Sequence, residues 1–238
     1  MIFAGKNILI VGGSSGIGLT VVSGLSHEGA RIYNLSRTSN EHWPPGIERL
    51  PFDVLADTAP AAGFLPEKLD GLVYLPGSIN LKPFNRLTTN DFFTDYQINV
   101  LGAVNVLQHS LPALKNAGNA SVVLMSSVAA TVGMSFHASI AAAKGAINGL
   151  TLSLAAELAP HKIRVNAIAP SLTDTPLAAQ LLSSAEKRES AAMRHPLGRF
   201  GAADDIAGSI LFLLSDQSSW LTGQIIGVDG GMGSLRKN

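Results

Sequence analysis

Short apolar runs separated by glycine, proline and polar turns recur along this chain. Residues 7–11 form the first, stopped by Gly12 and Gly13; across 17–25 the apolar positions then fall at helical spacing until the pattern ends near Gly29. Runs at 31–35, 48–52 and 71–75 read as strands of the kind buried on both faces of a parallel sheet. Downstream, 91–114 reads as one long helix, 121–125 as a strand, 140–158 as a second long helix, 163–168 as a strand and 224–228 as the last strand. This alternation predicts an α/β fold: a doubly wound parallel sheet in a Rossmann-like three-layer sandwich. Two places depart from it. The connection 53–70 contains Pro60 and Pro66 and has room for one short helix, so that crossover is expected to be abbreviated or irregular. The polar, alanine-rich stretch 172–199 has no strand directly after it and is expected to be a mobile lid over a substrate. No internal repeat or low-complexity linker divides the chain, so residues 1–238 are expected to form a single domain.

Composition narrows the function. With 46% hydrophobic and 14% charged residues, the 238-residue chain can bury a large core. Lys+Arg and Asp+Glu balance at 17 each, without a basic block, which argues against nucleic acid or an anionic membrane as a partner and for small molecules. The absence of cysteine removes disulfides, thiolate metal sites and a cysteine nucleophile; the six histidines have no paired ligand spacing, so no metal site is expected. The start of the chain lacks the pattern of a signal peptide, and no apolar run is long enough for a bilayer span, so a cytoplasmic location is expected.

The first turn carries the strongest chemical signal. In Gly12-Gly13-Ser14-Ser15-Gly16-Ile17-Gly18, glycines permit a tight turn and close backbone approach. The helix that follows can then aim free N–H groups at a pyrophosphate. An ordinary glycine-rich turn is the plain alternative, but this one lies directly between a strand and a helix, the context a dinucleotide site requires.

These glycines, at 12, 16 and 18, resemble the turn of the short-chain dehydrogenase/reductase family, and the resemblance extends over nearly the whole chain. Asp53 resembles the residue that meets the adenine, and Asn99 the family's helix asparagine. The segment Asn166-Ala167-Ile168-Ala169-Pro170, leading through Thr173 to Thr175, resembles the nicotinamide side, and Val228-Asp229-Gly230-Gly231 the C-terminal signature. By the same resemblance Gly77 lies against the cofactor. There are departures: Val11 replaces a leading threonine, Tyr74-Leu75-Pro76-Gly77 replaces Asn-Asn-Ala-Gly, and Ser171 replaces a glycine after Pro170. At the end of the second strand, Ser36-Arg37 offers a cation and no acid. A guanidinium there suits a 2′-phosphate, so NADP(H) is favoured, with NAD(H) open and a solvated surface arginine as the alternative.

The resemblance implies hydride transfer between the cofactor and a small carbonyl or alcohol, with a tyrosine as proton donor four residues before a lysine and thirteen after a serine. Ser127 and Lys144 fit that spacing, but the residue between them is Ile140, which has no proton to give. Ser127 would hold a substrate oxygen, Lys144 the nicotinamide ribose, and Asn99 a water chain. His137 is a candidate substitute acid, sharing a face with Ile140 if the helix starts early enough; the alternative is a loop histidine beside a helix start. Tyr74 and Tyr96 have no spacing argument behind them. Three functions remain open: a working oxidoreductase with an unusual or impaired proton donor, a nucleotide-binding pseudoenzyme that senses redox state or scaffolds a partner, and a structural subunit that binds no nucleotide. The small-residue stretch Ala141-Ala142-Ala143-Lys144-Gly145-Ala146 would let a second helix approach closely, and the resemblance implies assembly through such a helix, so a homodimer or homotetramer is expected, with packing inside the chain as the alternative.

Overall fold

The computed structural model describes residues 1–56, 59–61 and 63–236. Its strands and helices, in chain order, are β1 (Asn7–Val11), α1 (Gly16–His27), β2 (Arg31–Ser36), β3 (Glu48–Pro51), β4 (Gly71–Tyr74), α2 (Thr89–Tyr96), α3 (Gly102–Ala117), β5 (Ala120–Met125), α4 (Ala138–Leu158), β6 (Ile163–Pro170), β7 (Thr173–Asp174), α5 (Ala185–Met193), β8 (Gly201–Ala202), α6 (Ala203–Leu214) and β9 (Ile225–Val228). Seven strands form one parallel sheet in the order β3-β2-β1-β4-β5-β6-β9, and β7 pairs with β8 in a separate two-stranded sheet. This is the doubly wound Rossmann-like arrangement, and strand order reverses between β1 and β4, where such folds open a crevice at the carboxyl ends of their strands.

Alternate residues of each strand face opposite sides of the sheet, so every strand feeds two cores. Leu9, Val11, Leu72, Val122, Leu124 and Val165 pack with Val106, Leu114 and Ile147 of α3 and α4 on one side. Ile8, Ile10, Ile32, Val73, Val123 and Ile168 pack with Val21, Leu25, Ile206 and Ile210 of α1 and α6 on the other. Because both faces are covered, the central strands β1, β4 and β5 are mostly apolar and buried rather than alternating.

The helix expected over 91–114 is two helices. Thr88 and Asp91 close a reciprocal cap at the start of α2, and after Tyr96 the backbone widens into a π-helical turn, Gln97–Leu101, before α3 begins. The Gly102 N–H reaches back to the Gln97 carbonyl across that turn. Among the described residues of 53–70 there are turns but no helix, so that crossover is irregular. Helix α6 follows the 172–199 segment directly; its apolar residues Ile206, Ala207, Ile210, Leu213 and Leu214 seal the second core. No element is expected over 203–214 from the sequence, although the spacing of its apolar residues is helical. Among the described residues no helix is long and apolar enough to cross a membrane.

Candidate active site

A cavity of about 820 Å³ runs along the carboxyl edge of the sheet, from the glycine turn past the end of β2 to the ends of β5 and β6. At its first end, Gly12 and Gly16 adopt φ of +87° and +51°, which glycine reaches without strain. A Cβ on Gly18 would collide with the Gly12 carbonyl oxygen, so the start of α1 can lie against the turn only without a side chain there. Ser15 caps α1 without a side-chain hydrogen bond, and the first turn holds no acidic residue. Its N–H groups therefore face the cavity with a partial positive charge and no competing anion.

The turn is braced from behind. Asn34 accepts from the Gly13 N–H at 3.0 Å and donates to Ser36 Oγ, while the Trp43 indole and the Asn40 amide donate to the Gly13 and Ser14 carbonyls. These anchors lay in no motif, and only the fold brings residues 34, 40 and 43 to residue 13. Arg37 lines the cavity beyond Ser14, exposed and without a hydrogen bond from its guanidinium among the described residues; Arg49 holds its carbonyl at 2.8 Å. Asp53 lines the wall opposite the turn, accepting from the Leu55 N–H. Ser14, Ser15, Ile17, Gly77, Pro170, Thr173 and Thr175 also line the cavity.

At the far end, Lys144 is buried and its Nζ donates to the Met125 carbonyl at 2.7 Å. Burial brings its pKa down to about 8, against the opposing pull of the Asp95 carboxylate. Asn99 does not reach the cavity wall. It sits behind Gly77 in the π-helical turn, its Nδ2 donating to the Asp95 carbonyl at 2.7 Å and to Ser78 Oγ at 3.1 Å. Among the described residues its buried Oδ1 has no hydrogen-bond partner, and a Cβ on Gly77 would lie within 4 Å of both that oxygen and Lys144 Nζ. Ser127 accepts from the Ala129 N–H and keeps its own proton available. Ile140 lies one turn before Lys144 and presents its aliphatic chain to the same space.

Among the candidate substitutes, Tyr74 is removed from the site. Its phenol is buried, donates to the Ile98 carbonyl at 2.5 Å and fills the space beside Gly102; burial raises its pKa. Tyr96 is partly exposed and does not line the cavity. His137 does: α4 begins at Ala138, so this histidine occupies the cap position, its Nδ1 donating to the Ser135 carbonyl. A second histidine, which the sequence did not single out, also lines the cavity. His195 is 1% exposed, its Nδ1 lies 2.7 Å from the Ala191 carbonyl, and its Nε2 lies 2.8 Å from Ser171 Oγ. The two residues are 24 positions apart and no spacing rule joins them.

A family model described as enoyl-(acyl carrier protein) reductase matches residues 11–233. A short-chain type dehydrogenase/reductase from Mycobacterium ulcerans superposes with a TM-score of 0.89 at 32% identity, covering 99% of this chain and 92% of that one. The chain is a member of the short-chain dehydrogenase/reductase family. Within the family it is 36% identical to the L-xylulose reductase of Bos taurus, over 96% of both chains. The structure of ElxO with NADP bound matches at a TM-score of 0.86 and 25% identity, over 97% of this chain and 99% of that one. The glycine cradle, the open start of α1 and the orphaned oxygen of Asn99 beside Lys144 fit the dinucleotide that a short-chain dehydrogenase/reductase holds. Among the described residues no cluster of His, Cys, Asp and Glu could hold a metal ion.

Proposed function

We propose that this protein is an NADP(H)-preferring oxidoreductase acting on a small carbonyl compound or its alcohol, with an altered proton-donor site. The carrying observation is the single cavity that joins the glycine turn and Arg37 to Lys144 and Ser127. When bound there, the nicotinamide supplies the hydride donor or acceptor. Gly12, Ser14, Ser15, Gly16, Ile17 and Gly18 hold the pyrophosphate against α1; Arg37 grips a 2′-phosphate with its fork of donors. Asp53 meets the base, and Gly77, Pro170, Thr173 and Thr175 line the nicotinamide side. Lys144 holds the ribose, Asn99 Oδ1 accepts from a water beside it, and Ser127 donates to the substrate oxygen. The segment 172–199 closes over the substrate as a lid; its aliphatic wall residues Leu172, Leu177 and Leu181 exclude water from the reacting atoms. NADP bound in ElxO supports the cofactor choice.

Ile140 favours a second reading, a nucleotide-binding protein with little turnover of its own, because a positioned acid or base contributes roughly 10²–10⁴-fold to rate. Calorimetry with NADPH and NADH, followed by a panel of ketones, quinones and imines with NADPH, separates the two. Tighter NADPH binding with turnover above background supports the enzyme; NADPH binding without turnover supports the second reading; tighter NADH binding refutes the role of Arg37.

A further inference from the structure

The Ser171–His195 pair supplies what Ile140 lacks. The Ala191 carbonyl can only accept, so the His195 proton resides on Nδ1 and the neutral ring presents a lone pair at Nε2. Ser171 must therefore donate its hydroxyl proton to Nε2 across 2.8 Å, leaving the lone pairs of its oxygen for the cavity. The hydroxyl is placed where the chemistry needs it. Ser171 follows the last residue of β6, Ser127 lies just past the end of the adjacent β5, and the two strands are locked in register through the Ser126 N–H on the Ile168 carbonyl. Both serines line the same cavity as Lys144 and Ile140.

We propose that Ser171 and His195 form a proton relay serving the hydroxyl of a bound secondary alcohol, or the carbonyl oxygen of its ketone, with Ser171 the catalytic residue and His195 acting through it. This rests on the oxidoreductase function proposed above. In oxidation, the substrate O–H proton passes to Ser171 Oγ as the Ser171 proton crosses to His195 Nε2. The C–O bond becomes C=O while the C–H electron pair leaves as hydride to the oxidised dinucleotide. The ring ends as an imidazolium with both N–H groups satisfied, by Ala191 O and Ser171 Oγ; reduction is the reverse. His137 is the competitor, but among the described residues its ring is tied only to the Ser135 carbonyl and hydrogen-bonds no hydroxyl that could pass a proton on.

The charged groups on the elements around His195 are Glu186, Lys187, Arg188, Glu189 and Arg194 of the α5 segment, with Arg188 paired to Asp174, Asp229 of the turn packed on the ring, Arg199 in its ion pair with Asp205, and Lys144 in the same cavity. Among the described residues none of them hydrogen-bonds the imidazole, whose two nitrogens are used by Ala191 and Ser171. A pH dependence that disappears on replacing His195 is then a property of the relay.

Two measurements test it. In the cofactor-free protein, nitrogen NMR of the histidine rings is expected to show His195 as the Nδ1–H tautomer, with its Nε2 resonance moving in Ser171→Ala; an Nε2–H tautomer would overturn the relay. In NADP⁺-linked oxidation of cyclohexanol and xylitol, Ser171→Ala and His195→Gln should each lower kcat roughly 10²-fold or more with KM little changed, and flatten the acid limb of the pH profile. Ser171→Thr, which keeps the hydroxyl, should retain the limb, and so should His137→Gln. The relay is overturned if Ser171→Ala keeps its rate and pH profile, or if His137→Gln is the variant that loses them. Should His195→Gln fail to fold, the Ser171 pair of variants decides alone. NADPH binding without turnover of either alcohol by the unmodified protein sinks both the relay and the oxidoreductase function; turnover indifferent to Ser171 sinks the relay only.

Discussion

At position 140 a four-carbon aliphatic side chain sits one helical turn from a buried ammonium, in space that lines the cavity. Replacing it with a phenol places an acidic proton near Lys144, whose charge would favour the phenolate. In a Ser171→Ala background, where the proposed relay is cut, Ile140→Tyr is expected to raise kcat for carbonyl reduction roughly 10²-fold, read by NADPH consumption. Lys144 makes a second prediction. Its folded pKa of about 8 lies below the 10.5 of the free side chain, so the unfolded chain binds more protons between those values, and this group's contribution to stability rises with pH across that window. Below it, the folded state carries a buried charge. Lys144→Met should therefore gain more stability over the parent at pH 7 than at pH 10.5, by up to about 3 kcal/mol in urea titrations. An unchanged difference between the two pH values would show that the ammonium is better compensated than its burial implies.

The helices divide into those that the apolar spacing exposes and those that tertiary contacts decide. Strands β1, β2, β5 and β9 were legible to within about a residue or two, because short, mostly apolar runs have few other places to go in a sheet covered on both faces. Helix α6 carries equally good spacing but follows a long polar segment with no apolar run to mark its start. The break at Gln97–Leu101 was hidden for a different reason: a contact that goes with it comes from β4, where Tyr74 sends its phenol to the Ile98 carbonyl. Periodicity within one segment contains no information about a partner more than twenty residues away. Tyr74→Phe removes that donor from a buried carbonyl and should cost about 1–3 kcal/mol in denaturant titration. The site shows the same division. The glycine turn could be read from local spacing and Ser127 and Lys144 from the family resemblance, whereas the supports Asn34, Asn40 and Trp43 and the Ser171–His195 contact exist only after folding.

For the molecule as a whole, the outer face of α4 has consequences for assembly. Gly145 and Gly149 have nothing within 4 Å of where a Cβ would be, and Leu152 is 54% exposed beside them. Such a face lets a second helix come close, so a dimer or tetramer is expected in light scattering. Gly149→Arg has room in the isolated chain and improves helix propensity, so it should leave the fold intact and yield monomers; an unchanged mass would assign association to another surface. The widened turn before α3 has a quieter consequence. It holds one residue more than a regular helix would need, and each residue of an α-helix advances about 100° around its axis. Deleting a single amino acid there would knit two rods into one and swing Asp95 and the whole preceding helix a quarter-turn or more out of phase with Lys144. In that stretch, length is guarded more strictly than side-chain identity, and tolerance to insertions and deletions should collapse where tolerance to point changes does not.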